Sequence, residues 1–262
     1  MDYVLLQKLV IVLGIINNSV LIVICLRKLS FRKSMAPVFF TFALVSGLMS
    51  SLYWLAYDLL RPEVRMPFAA NEFGEMGLFL LVAASLNAVF RSRFSAARRE
   101  MLCTAFFVAA STLFWFLWSG EWVEDIMTGL CFGYFLCVCA RSLKLSRALS
   151  RREWVLLAGL AALLLVLQGL TFLLPAPWSA AADYCAYAVM FTVLIYGFIK
   201  LLRAVLRGGN PRGQFALAAS VWAWSISTMY MSADPFYLVA QLGFLGAVPL
   251  MLVALRREEA EA

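Results

Sequence analysis

The sequence predicts an all-α polytopic membrane protein that crosses the bilayer about nine times. Three observations predict this fold class: 64% of the 262 residues are hydrophobic, only 14% are charged, and the apolar residues are gathered in long stretches separated by charged loops. A soluble domain is about one quarter charged, so this chain lacks the polar residues needed to cover a globule in water. We interpret 1–262 as a single helical bundle in lipid and 256–262 as a short, solvated cytoplasmic tail.

Each apolar stretch is close to the length of a membrane helix, which needs about 20 mostly apolar residues. Lipid offers the backbone no hydrogen-bond partners, so a spanning segment is a helix or a strand of a closed barrel. Runs such as Leu160 to Leu167 lack the alternation of a barrel strand. The first stretch has no basic start and no small-residue cleavage site, so we expect it to be retained. The predicted spans are 4–26, 36–59, 72–90, 102–118, 122–140, 154–174, 182–202, 214–231 and 235–255.

The loops between the spans alternate in charge, and this alternation predicts the orientation. Most lysines and arginines fall in the first, third, fifth and seventh loops and in the tail, whereas most acids fall in the other loops. Basic residues stay on the cytoplasmic side. We therefore expect the N terminus outside, the C terminus in the cytoplasm, and a location in a cell membrane, most simply a bacterial inner membrane.

The residue inventory excludes several kinds of chemistry. The chain has no histidine, which removes the commonest zinc ligand and the commonest general base. A Ser-His-Asp site is therefore excluded. The six cysteines lie in or beside the spans without zinc-type spacing, so we interpret them as small apolar residues. No metal or other cofactor is expected.

The basic loops predict contacts with lipid rather than with nucleic acid. Their lysines and arginines sit next to the spans, where they meet anionic headgroups of the bilayer. The same inner loops are the candidate surface for a partner protein.

The connection between spans 2 and 3 is the most unusual polar segment. Two prolines limit helix there, and acids at the start of the following span are favoured by the helix dipole. Its polar residues form either a ligand site or a structural clamp of arginines and carboxylates, and both interpretations stay open. These residues are Asp58, Arg61, Arg65, Asn71, Glu72 and Glu75.

Span 2 carries a polar stripe that leads towards this segment. Ser46, Ser50, Tyr53 and Tyr57 recur at helical spacing along one face, which predicts that the face lies in the bundle interior and ends beside Asp58. Serine-mediated helix packing and interfacial tyrosines explain the same stripe equally well.

Other polar or small residues inside the spans have simpler explanations. An amide within a membrane helix is expected to hydrogen-bond another helix, and glycines four residues apart favour close helix packing. The amides are Asn17, Asn18, Asn87, Gln168 and Gln241, and the glycine pair is Gly129 and Gly133.

These residues are compatible with three different functions. We favour a small-molecule transporter or a ligand-binding receptor subunit, with an outward pocket lined by Tyr53, Tyr57, Trp222 and Trp224, because aromatic faces and carboxylates both attract cations. Asp125, at the start of span 5, is a further carboxylate of the same cluster. The first alternative is an intramembrane lipid-modifying enzyme whose carboxylates act as bases or bind a divalent ion. The second is a membrane subunit or scaffold that recruits a partner protein.

Overall fold

The computed structural model describes residues 3–31, 34–60, 70–90, 98–119, 122–231 and 236–261, and they form helices joined by short turns, with no strand among them. The all-helical architecture predicted from composition is confirmed. The helices of the described residues follow the order of the predicted apolar stretches. They are α1 (Tyr3–Lys28), α2 (Ala36–Leu60), α3 (Ala70–Val89), α4 (Arg98–Ser119), α5 (Trp122–Ser146), α6 (Arg151–Leu173), α7 (Trp178–Leu206), α8 (Pro211–Tyr230) and α9 (Phe236–Glu261).

Seven of the described helices are long and apolar enough to cross a membrane. Among the side chains of α4 that the structure describes, Met101–Ala110 forms a shorter apolar segment, and α8 is not among the seven. The qualifying segments are Leu5–Lys28, Ala36–Leu60, Glu72–Val89, Ile126–Ser146, Arg151–Leu173, Trp178–Leu206 and Phe236–Glu261.

Helix α8 lies at the centre of the bundle. It packs against α5, α7 and α9 and touches α3, and it is buried along most of its length. Small residues such as Gly213, Ala216 and Ala219 allow the neighbouring helices to approach its backbone, as in other membrane helix interfaces. This position explains why α8 contributes side chains to more than one interior surface.

Two glycines of α5 form the close-packing surface that their spacing predicts. A methyl group added at Gly129 would lie 2.6 Å from Thr112 Oγ1 of α4, and one added at Gly133 would overlap Val108. The α4–α5 contact therefore depends on the absence of side chains at both positions.

The last turns of α9 correct the prediction that the end of the chain is solvated. Glu258 and Glu259 belong to the helix and are 7% and 8% exposed. The Ser30 backbone N–H donates to both carboxylate oxygens of Glu259 at 3.2 and 3.3 Å, and Arg212 Nε donates to Glu258 at 3.4 Å. These carboxylates are buried because basic groups and backbone donors of neighbouring segments satisfy them.

Candidate functional site

The contact between α2 and α3 positions the candidate site. Ser46 Oγ donates a 2.8 Å hydrogen bond to the carbonyl oxygen of Gly74. A Cβ at Gly74 would lie 2.9 Å from Ser50 Cβ, and one at Gly77 would lie 2.6 Å from Ser46 Oγ. The serine end of the stripe therefore faces the bundle interior, as predicted, and the glycines let the two backbones approach each other.

Glu75 follows Gly74 and lies inside the bundle. Its carboxylate accepts a 2.5 Å hydrogen bond from the hydroxyl of Tyr230 on α8, and the Ser50 hydroxyl also interacts with it. The residue lies within the apolar span Glu72–Val89. A carboxylate within a membrane helix is costly, and such groups commonly mark functional sites.

Glu75 lines a cavity of about 150 Å³ among α1, α2, α3, α8 and α9. Carboxylate, amide and hydroxyl groups give this cavity its polar surface, and aromatic rings form much of the remaining wall. The polar lining residues include Ser50, Ser51, Glu75 and Gln241, and the aromatic ones are Trp54, Phe79, Tyr230, Tyr237 and Phe244. Among the described residues that line the cavity, none is a lysine or an arginine.

The amide of Gln241 differs from those of Asn17 and Asn87. Gln241 is 9% exposed, and its Oε1 has no hydrogen-bond partner among the described residues. By contrast, Asn17 donates to the Leu245 carbonyl at 3.5 Å and Asn87 donates to the Tyr134 hydroxyl at 3.3 Å. Those two asparagines follow the expectation of helix-to-helix hydrogen bonds, whereas the oxygen of Gln241 does not.

Two of the predicted carboxylates lie outside the lining of the cavity. Asp58 forms a 3.0 Å ion pair with Lys8, which ties α2 to α1. Glu72 is partly buried, and its charge acts on Glu75. The ion pair with Lys8 is a different contact from the predicted clamp, whose arginines lie outside the described residues.

The two tyrosines at the end of the stripe stack on each other. The ring centroids of Tyr53 and Tyr57 are 6.4 Å apart with an interplanar angle of 26°. Neither ring belongs to the lining.

The structure does not describe the side chains of four other predicted site residues. Arg61 and Arg65 lie outside the described residues, as do the side chains of Asn71 and Asp125, whose backbones belong to α3 and α5.

The structure does not bring Trp222 and Trp224 together in one pocket. Trp222 is 1% exposed and packs edge-on against Phe135, with ring centroids 5.4 Å apart. Trp224 donates from Nε1 to the Met190 carbonyl oxygen of α7 at 2.9 Å. Residues two apart on a helix are about 200° apart around its axis, so the two rings face different neighbours and neither lines the cavity.

The lining residues that sequence reasoning did not select as site residues include Trp54, Tyr230, Tyr237 and Gln241. A usable signal existed for Gln241, since an amide in an apolar span needs a partner. The pairing of Tyr230 with Glu75 joins residues 155 positions apart in the sequence, and no local pattern indicates it.

Among the described side chains, no group of three or more histidine, cysteine, aspartate or glutamate residues is arranged to hold a metal ion. Comparisons with protein-family models, with curated proteins and with solved structures found no match. The fold alone therefore indicates the class of protein. Seven of the described helices are long and apolar enough for a multi-pass membrane protein.

Proposed function

We propose that this protein binds a small organic cation in the cavity beside Glu75 and acts as a transporter or a ligand-binding receptor of the cell membrane. The observation that carries the proposal is a carboxylate placed among five aromatic rings, in a cavity within the bundle. The proposal includes nine membrane spans, with the N terminus outside and the C terminus in the cytoplasm.

The chemistry of the lining favours a cation over an anion or a neutral ligand. A carboxylate attracts positive charge, and the faces of tryptophan, tyrosine and phenylalanine attract cations within about 6 Å of the ring centroid. No lysine or arginine is present among the described lining residues to favour an anion. A volume of about 150 Å³ suits a small ligand with up to about one aromatic ring, since an engineered cavity of about this size binds benzene.

The proposed orientation places the cavity towards the outside of the cell. Glu75 and Tyr237 lie near the starts of α3 and α9, and Trp54 and Tyr230 lie near the ends of α2 and α8. All four of these helix ends belong to outer turns in the proposed topology. A ligand would therefore enter from the external side.

Calorimetric titration of the purified protein in lipid nanodiscs with methylguanidinium tests this proposal. We expect saturable binding that weakens at least about tenfold in Glu75→Gln, because a hydrogen bond to a charged group contributes about 1.5–3 kcal/mol and about 1.4 kcal/mol corresponds to tenfold. Glu261→Gln removes an exposed acid of α9 and should leave the affinity unchanged. Equal affinity in wild type and Glu75→Gln would contradict the proposal.

Flux measurements separate the transporter from the receptor. Methylguanidinium stays protonated at neutral pH and crosses bare lipid slowly, so its uptake into proteoliposomes reports protein-mediated transport. Uptake that is lost in Glu75→Gln supports a transporter. Saturable binding without uptake supports a receptor.

A further inference from the structure

We infer that the cavity selects organic cations that carry N–H donors, and that Gln241 strengthens this selection beyond what Glu75 supplies. The inference rests on the proposed function, because it specifies the ligand class of the same cavity. It starts from an unsatisfied acceptor: Gln241 lines the cavity, is 9% exposed, and its Oε1 has no partner among the described residues.

A buried acceptor without a partner requires an explanation, because nearly all buried polar groups in folded proteins are hydrogen-bonded. In a membrane protein the requirement is stricter, since lipid supplies no donors. The amide of Gln241 belongs to a helix that qualifies as a membrane span. A ligand donor would satisfy this oxygen, and the last side-chain torsion of glutamine is soft enough to turn the oxygen towards the cavity without moving α9.

Two acceptors from different helices then converge on one ligand. Glu75 of α3 supplies a charged oxygen and Gln241 of α9 supplies a neutral one, and five aromatic residues share the lining with them. A guanidinium or a primary ammonium donates to both acceptors at once. A quaternary ammonium is attracted by the carboxylate and the rings but donates no hydrogen bond, so it leaves Gln241 unpaired.

A site built to hydrogen-bond its ligand discriminates strongly against an analogue that lacks the donor, because the polar group of the site is then left unpaired. A water molecule on Gln241 is the competing explanation. If water satisfies the oxygen equally well with every ligand, Gln241 adds nothing to the preference for N–H donors, and replacing Gln241 leaves that preference unchanged.

The test compares methylguanidinium with tetramethylammonium, which have the same number of non-hydrogen atoms and the same charge. We expect the wild-type protein in nanodiscs to bind methylguanidinium at least about tenfold more tightly, since about 1.4 kcal/mol corresponds to tenfold. Gln241→Leu removes the acceptor at similar volume and should reduce this preference to the part that the hydrogen bond to Glu75 supplies, with tetramethylammonium affinity unchanged. Gln241→Glu keeps an acceptor and should keep the preference.

Gln168 on α6 supplies the matched control. It is also 9% exposed, its Nε2 also lacks a partner among the described residues, and it does not line the cavity. Gln168→Leu should leave both affinities and their ratio unchanged. The inference would be overturned if the ratio of methylguanidinium affinity to tetramethylammonium affinity were equal in wild type and Gln241→Leu. Equal affinity of the wild type for the two cations would also overturn it. If neither cation binds, the proposed function itself fails, so the two failures are distinguishable.

Discussion

Replacing Gly74 with alanine should destabilise the contact between α2 and α3. The added Cβ would lie 2.9 Å from Ser50 Cβ and 3.1 Å from the backbone oxygen of Ser46. Carbon atoms in contact prefer about 3.5–4.0 Å, and a backbone oxygen cannot swing aside as the end of a side chain can. The two helices must therefore separate, which disturbs the Ser46–Gly74 hydrogen bond.

The size of the effect follows from two opposing contributions. Overpacking of this kind costs about 1–3 kcal/mol, whereas replacing glycine with alanine within a helix contributes about 1 kcal/mol of stability. Gly159 on α6 provides the control, because a Cβ added there meets nothing within 4 Å. Since the helix-propensity gain is common to both variants, the difference between Gly74→Ala and Gly159→Ala isolates the overpacking cost of about 1–3 kcal/mol.

Thermal unfolding of both variants in the same detergent, followed by circular dichroism, measures this difference. Each kcal/mol corresponds to about 2–4 °C for chains of 150–250 residues, so Gly74→Ala should melt several degrees below Gly159→Ala. Equal melting temperatures, or a higher one for Gly74→Ala, would refute the close approach of α2 and α3.

Two further predictions concern contacts away from the cavity. Trp224→Phe removes the donor to the Met190 carbonyl and should lower the free energy of unfolding in denaturant titrations by about 0.5–1.5 kcal/mol. Methylguanidinium affinity should not change in that variant, and a tenfold loss would place Trp224 in the site. Glu259→Ala removes the acceptor of the Ser30 N–H and should lower the melting temperature. The exposed neighbour Glu261 supplies the comparison, because Glu261→Ala should melt like the wild type.

Hydropathy and charge predicted the helices of this protein well, because each spanning segment must satisfy its own backbone and expose apolar side chains to lipid. The end of α9 was not predicted, because Glu258 and Glu259 appear as a solvated acidic run until their partners from distant segments are known. The hydrogen bond of Ser30 to Glu259 joins residues 229 positions apart.

The candidate site was predicted in part. The spacing of the serine stripe placed Ser50 towards the interior, and the acids at the start of the third span drew attention to Glu75, which lines the cavity. The aromatic partners were misassigned because α8 is buried by several helices at once, so its sequence does not show which face meets which neighbour. Trp222 and Trp224 were grouped by proximity in the sequence, although the geometry of a helix separates them.

Anomalous diffraction from crystals grown with 4-bromobenzylamine tests the central claim most directly, because the bromine atom reports where an N–H-bearing cation binds. We predict a bromine peak within the cavity bounded by Glu75, Tyr230 and Gln241, with the ammonium group directed at the Glu75 carboxylate. The peak should be absent from crystals of Glu75→Gln grown in the same way. Bromine density confined to the outer surface of the bundle, with an empty cavity in the wild-type protein, would contradict the account.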